Sequence, residues 1–351
     1  MSAPAIVGVA AAVVPSSARR HRRRRERAVV AVLLAVVLAL FVLTMMVGSY
    51  RLSPLAVVES LLGLSDDPSV DFIVRDLRLP VATTGLAVGL ALGLSGIVFQ
   101  KLLANPLASP DFVGISQGAS VAAVLSIVIF HLGAVAVAGA ALAGALLAGL
   151  LIYLLAWKGG VTGYRFILVG IGVSEFCIAL IGYVLAKAQL FDAREAMAWL
   201  VGSIGQAGAL QLRILLVALV VLLPVALLLG RWLGALELGD DAAHALGVRV
   251  EVARVVLLAV AIVLVALATA AAGPVSFVAL VSGPIAVRIV RTGGPVLLPS
   301  ALVGAALVLL ADVVAVHLMP AALPTGVVTG AVGAPYLIWL LATVNSEGRG
   351  G

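Results

Sequence analysis

"QKLLANPLASPDFVGISQGAS" (residues 100–120) separates two long apolar runs with a lysine, an aspartate, two prolines, an asparagine and two glutamines. The fold turns on whether this is a surface loop of a soluble domain or a turn between membrane helices. The rest of the chain decides the matter. Of its 351 residues, 63% are hydrophobic and 11% charged, with a mean hydropathy of +1.25. Soluble domains are about 45–50% apolar and about 25% charged. No water-soluble fold buries that excess, so the solvent is largely lipid. Spanning backbone must satisfy its own hydrogen bonds, which leaves helices or closed barrels. Barrel strands alternate apolar and polar residues over about ten positions. The apolar runs here, such as 28–48, 134–156 and 214–230, are unbroken and long enough for helical spans. The fold class is therefore an all-α polytopic membrane protein. The stretch "AVAVAGAALAGALLAGLL" (134–151) suits close helix–helix contact through small residues.

Breaks at charges, prolines and glycines predict ten helices, over 28–48, 80–102, 114–132, 134–157, 166–187, 209–231, 252–272, 276–291, 298–317 and 326–344. The eighth reads as short and broken by Ser282-Gly283-Pro284. With the N-terminus inside, the arginine cluster 19–27, Lys101, Lys158, Arg165, Arg231, Arg249, Arg254, Arg288, Arg291 and Arg349 fall on the cytoplasmic side. Arg51, Arg75, Arg78, Lys187, Arg194 and Arg213 fall outside, among compensating acids. This bias satisfies the positive-inside rule and supports an even number of spans with both termini cytoplasmic. Residues 1–27 read as a disordered basic cytoplasmic tail, 28–344 as the membrane domain and 345–351 as a cytoplasmic tail. The apolar run before the arginines has the wrong charge order for a signal peptide, whose basic region comes first.

Bond-making chemistry is missing from the sequence. There is no GxxxxGK[ST] phosphate loop, no HExxH pair, and only four histidines. The single cysteine, Cys177, sits in a predicted helix as a small hydrophobe. The pI near 10.0 reflects basic cytoplasmic ends and points to no nucleic acid. These features describe a protein that moves or holds something and is not itself an enzyme.

In residues 100–120, Asn105-Pro106 and Ser109-Pro110 are turn-forming pairs. Gly114 and Gly118 allow backbone crowding at the start of the next helix. The run Gln100, Asn105-Pro106-Leu107-Ala108, Pro110, Gly114, Gly118-Ala119 resembles the signature of FecCD-type permeases, the membrane subunits of type II ABC importers for ferric siderophores, haem and vitamin B12. "LGDDAAHALGVRV" (238–250), "AAGPVSFVALV" (271–281) and "ALPTGVVTGAVGAPYLIWLL" (322–341) are similar to further family stretches, in the family's order. "LRLP" (77–80) and "WLVGS" (199–203) are also typical.

The resemblance implies a ten-helix, vitamin-B12-importer-like permease, paired as a homo- or heterodimer around a central path in the bacterial cell membrane. It implies two cytoplasmic ATPase subunits, an extracellular or periplasmic binding protein, and a ferric siderophore as substrate. Haem or cobalamin is the alternative within the family. No cofactor is then bound by this chain, and ATP and Mg belong to the partner ATPase.

By the same resemblance, Leu238, Gly239, Asp240, Asp241, Ala242, His244, Leu246 and Gly247 form the ATPase-coupling segment, within which Gly239 and Gly247 delimit two short helices. Arg75 and Arg78 receive the binding protein. Gly159, Gly160 and Gly163 let a cytoplasmic gate loop flex. Asp312 matches a structural family position. Gln100 and Asn105 either brace the turn or face the path. Glu175, an intramembrane carboxylate, either faces the path or is protonated or bonded to Ser174 or a neighbouring helix. Gly283-Pro284 departs from the family pattern and puts the local gate geometry in question. Two other classes stay open: a proton-driven secondary transporter relaying through Glu175 and Asp312, and a membrane scaffold.

Overall fold

The computed structural model describes residues 16–48, 50–158, 163–291, 294–319 and 321–347. Its helices are α1 (Ser16–Met46), α2 (Pro54–Leu62), α3 (Pro68–Asp71), α4 (Leu79–Leu102), α5 (Ile115–Val128), α6 (Ala134–Ala156), α7 (Gly163–Lys187), α8 (Leu190–Val201), α9 (Ala209–Leu236), α10 (Asp240–Ala245), α11 (Val250–Ala272), α12 (Val278–Val290), α13 (Leu297–Val313) and α14 (Thr325–Glu347). A π-helical turn, Phe72–Arg78, joins α3 to α4, and another, Val314–Leu318, extends α13. No strand occurs among the described residues.

Among them, seven helices are long and apolar enough to cross a membrane, and α5, α12 and α14 are shorter apolar helices. Together they correspond to the ten segments expected from the sequence. Three details differ. Helix α1 begins at Ser16, so it takes in the arginine run that was expected to be a disordered tail; arginine is a good helix former, and a spanning helix can continue past the apolar stretch. Helix α12 runs unbroken through Ser282-Gly283-Pro284. Between α9 and α11 lies one short helix, α10, where two were expected; Gly239 (φ 97°) and Gly247 (φ 79°) bracket it in conformations that favour glycine.

The core forms around α4. In the segment Pro68–Leu102, 78% of the apolar window is buried, against 17% for α9 and 22% for α1 and α7. Apolar side chains gain little by leaving lipid for another helix, so contact here must come from close packing and polar links. Both are present. A Cβ on Gly93 would lie 2.3 Å from the Ser300 carbonyl oxygen, and one on Gly96 only 1.8 Å from that of Ala279. Helix α4 thus touches α13 and α12 backbone to backbone. Ser300 Oγ donates to the Gly93 carbonyl at 2.7 Å, and Ser95 Oγ to the Ala261 carbonyl of α11 at 2.9 Å.

At the N-terminal end of α4, α2, α3 and the π turn form a cap over their own apolar cluster of Met45, Leu52, Val57, Val70, Val74 and Ala82. Ser53 and Asp67 cap α2 and α3 through side-chain bonds to Ala56 and Ser69.

A Gly96→Val substitution has no space to enter and should cost about 3 kcal/mol or more. Gly139→Ala points into open space on α6 and should be neutral or stabilising by up to about 1 kcal/mol. Thermal unfolding in detergent, monitored by loss of the monodisperse species, compares the two; equal stability for both would contradict the packing described.

Candidate functional site

At the C-terminal end of α4, opposite the cap, the chain gathers the end of α4, the turn after it, α10 and the end of α12 around a groove of about 660 Å3. Gln100, Lys101, Asn105, Pro106, Glu237, Gly239, Asp240, Arg254, Pro284 and Arg288 are among its lining residues.

The turn is braced from within. Asn105 Oδ1 accepts from the Leu107 amide at 2.9 Å, and the Asn105 amide donates to the Gln100 carbonyl at 3.0 Å. The Pro110 carbonyl accepts from Ile115 at 3.3 Å. Asn105 is therefore a brace. The connection then runs alongside α7. The site of a Gly163 Cβ lies 2.8 Å from the Leu103 carbonyl oxygen, and that of a Gly170 Cβ 2.6 Å from the Val113 carbonyl oxygen. Gly114 (φ 93°) starts α5 against Gly170 and Ser174, and Gly118 packs α5 on Gly144 and Ala148 of α6. Irregular backbone beside a spanning helix is tolerated because protein covers it. Gly163 sits at a close approach between segments. Gly159 and Gly160 lie outside the described residues.

Asp111, in this connection, was not singled out from the sequence. Its Oδ1 accepts from Ser116 Oγ at 2.7 Å. Burial pushes its carboxyl up to about 6, while hydrogen-bonding groups of Ser116, Ser109 and the Phe277 backbone pull it down. The signal in the sequence was the Ser-Pro-Asp turn, a motif too common to stand out.

Gln100 has a specific partner. Pro284 has no N–H, so the Leu280 carbonyl, four residues earlier in α12, lacks its intrahelical donor. Gln100 Nε2 donates to that carbonyl at 2.8 Å, and both lie buried. A Cβ on Gly283 would lie 2.0 Å from Gln100 Oε1. The Gly283-Pro284 pair is thus a matched set with Gln100: proline frees a carbonyl, and glycine admits the side chain that satisfies it.

Helix α10 is anchored on one side and open on the other. Ala243 is buried with Ala235 and Val250, while Leu238 and Leu246 are 67% and 64% exposed. Asp241 and His244 are also exposed, and Ala242 is half-buried. Ion pairs hold the segment to its neighbours. Lys101 Nζ lies 2.9 Å from Glu237 Oε1, Arg254 lies 2.6 Å from Asp240 Oδ1, and Arg254 reaches Glu251 at 3.6 Å. His244 Nδ1 lies 2.8 Å from the Asp240 carbonyl. The Lys101–Glu237 and Arg254–Asp240 pairs were not anticipated, because each joins different elements of the chain. Arg288 packs 4.4 Å over the Trp339 ring and ties α12 to α14.

At the opposite end, the arginines expected to receive a binding protein serve the cap. Arg78 donates to the carbonyls of Met45, at 2.8 Å, and Tyr50. Arg75 donates through Nε to the Ser60 carbonyl at 2.8 Å and lies 4.0 Å from Asp71. Thr325 Oγ1 donates to buried Asp312 Oδ1 at 3.1 Å, which joins α13 to the start of α14. Glu175 is exposed midway along α7.

The FecCD transport family matches residues 34–343. The chain belongs to the FecCD transport family. This FecCD chain is 41% identical to the permease protein FepG of the ferric enterobactin transport system of Escherichia coli K12, over 84% of the chain and 89% of the relative. It is 36% identical to FhuG, an iron(3+)-hydroxamate import permease of Bacillus subtilis, over 88% of the chain and 95% of the relative. A solved metal-chelate-type ABC transporter in an inward-facing conformation superposes with a TM-score of 0.78 at 26% identity, covering 90% of this chain and 99% of the other. The protein is accordingly a multi-pass membrane permease of the class found in type II ABC importers for siderophores, haem or vitamin B12.

The account of Gln100 makes a coupled prediction. Gln100→Leu strands a buried carbonyl and should destabilise the permease by about 1–3 kcal/mol. In a Pro284→Ala background the helix supplies its own N–H, so the same change should cost markedly less. A double-mutant cycle on detergent stability reads the coupling; additive effects would remove Gln100 from this role.

Proposed function

We propose that this FecCD chain is the permease subunit of an ATP-driven importer of ferric siderophores. Two permeases, alike or different, pair around a central path. Separate ATPase subunits bind ATP and Mg on the cytoplasmic face, and a substrate-binding protein delivers the chelate from outside. This chain performs no hydrolysis and holds no cofactor. Both termini are cytoplasmic, a reading supported by the bias of Lys and Arg toward the α10 end.

The observation that carries this reading is the shape of α10. It is a six-residue helix between left-handed glycines, fixed by buried Ala243 and by ion pairs to α4 and α11, and it presents Leu238 and Leu246 outward. A short, rigidly held helix with exposed leucines suits insertion into an apolar groove on a partner. Its link through Glu237 and Lys101 to α4, the most buried helix, gives ATPase movements a direct route into the core. Asp240, Asp241 and His244 surround the leucines with polar contacts for orientation.

The substrate assignment is supported by relatives such as those named for ferric enterobactin and ferric hydroxamates. Binding-protein docking falls to the cap over α2 and α3, whose shape Arg75 and Arg78 maintain.

Leu246→Asp should leave the chain in the membrane but lower co-purification of the ATPase at least about tenfold, as loss of a central apolar anchor does. Undiminished recovery of ATPase would contradict the coupling role of α10. At the cap, an exposed docking charge would tolerate Arg78→Lys. A cap-holding guanidinium would not, since the two carbonyl bonds need its fork. Binding-protein affinity should therefore fall in Arg78→Lys nearly as far as in Arg78→Gln; wild-type affinity in the lysine variant would favour direct charge docking.

A further inference from the structure

Two adjoining cavities lie at the end of the fold away from α10, a full length of α11 from the coupling groove. One, of about 270 Å3, is walled by the end of α5, the start of α6, α8, the start of α9 and the end of α11. Glu195, Trp199, Gln206 and Gln211 carry its polar groups. The other, of about 240 Å3, continues between α6, α9 and α11 along Val135, Leu142, Leu210, Ile214 and Leu267. Gln211, Ala138, Ala270 and Ala271 belong to both. The two therefore make one cleft with a polar end and an apolar end.

Depth and exposure place the apolar end in lipid. From Ala134 to Leu142, α6 rises about 12 Å, which is within one leaflet of a hydrocarbon core about 30 Å thick. Val135, Leu210 and Ile214 are large apolar side chains exposed at its rim, and α9 is the least buried of the candidate spans. Gly139 keeps this end open, since a Cβ there would meet nothing within 4 Å.

The polar end is short of donors. Gln211 Oε1 is buried and has no hydrogen-bond partner among the described residues. A buried acceptor left unpaired marks the place of a donor that the chain does not itself supply. Gln206 cannot supply it, because its Nε2 donates to the Ala198 carbonyl at 3.0 Å. Asp192 of α8 lies 3.7 Å from His131, whereas Glu195 has no ionic partner among the described residues. What is left is a carboxylate, an amide oxygen and an indole. All three suit a cation that carries N–H donors, through an ion pair, a hydrogen bond and a cation–π contact.

We infer that this cleft binds an aminophospholipid of the phosphatidylethanolamine class, with its ammonium group at Glu195, Gln211 and Trp199 and an acyl chain along Gly139. A phosphatidylglycerol brings net negative charge to Glu195 and no cation. A phosphatidylcholine brings the cation but no N–H for the amide oxygen.

The test uses the permease assembled with its ATPases in nanodiscs of phosphatidylethanolamine, phosphatidylglycerol and phosphatidylcholine in equal parts, with matched acyl chains. Lipid that stays bound after release from the disc is counted by native mass spectrometry. The unaltered chain should retain phosphatidylethanolamine about fivefold over each of the others, the scale of one partly exposed charge pair. Glu195→Gln should bring the three lipids within about twofold of one another, while Glu195→Asp keeps the preference. Gly139→Phe fills the apolar end and should lower retention of all three lipids, while Gly139→Ala leaves it unchanged. Leu210→Trp, at the exposed rim, makes the same test should the phenylalanine variant fail to fold. Retention without headgroup preference, or a preference that survives Glu195→Gln, overturns the headgroup assignment. Undiminished retention in the folded filling variants overturns the placement of the acyl chain in this cleft.

Discussion

The hydrogen bond from Gln100 to the Leu280 carbonyl shows the constraint under which this fold is built. In lipid, every backbone polar group must find a partner inside the protein. Pro284 breaks that rule in α12, and a side chain from α4 repairs it at 2.8 Å. The repair is possible only because α4 approaches α12 and α13 at backbone distance through Gly93 and Gly96, and because Gly283 leaves space for the amide. The architecture follows from this arrangement. A buried central helix meets its neighbours through glycines and is tied to them by Ser95, Gln100 and Ser300. The proline-bearing α12 then ends at the groove beside α10.

That geometry places the two ends of α4 in different work. One end lies under a cap held by Arg75 and Arg78. The other is bonded through Lys101 to Glu237 at the entrance to α10. A buried helix thus joins the cap at one end of the fold to the entrance of α10 at the other. Much of the irregular backbone at 108–110, 113–114 and 273–277 lies where protein covers it. Arg288, stacked on Trp339, joins the groove to α14.

The spanning helices were legible in the sequence because lipid demands long apolar runs, and polar turns mark their ends. The short helices α2, α3 and α8 were not, since they are too brief and too mixed in composition to register against such runs. The stretch at 100–120 was legible as a turn, and Asn105 does brace it. The role of Gln100 was hidden because its partner is 180 residues away. For the same reason Gly283-Pro284 looked like a departure from pattern; only the fold shows it to be complementary to Gln100. Arg75 and Arg78 were identified by position but not by partner, because backbone carbonyls have no signature in a sequence. Helix α10 was legible through its glycines, although one helix occupies the interval where two were expected.

The central claim is that this FecCD permease works as part of an ATP-driven importer. The most direct measurement is uptake of a radiolabelled ferric siderophore into proteoliposomes holding the permease pair, its ATPases and its binding protein. Accumulation should require ATP and Mg and should persist when a protonophore dissipates the proton gradient. Uptake that proceeds without ATP and collapses with the gradient would contradict the account.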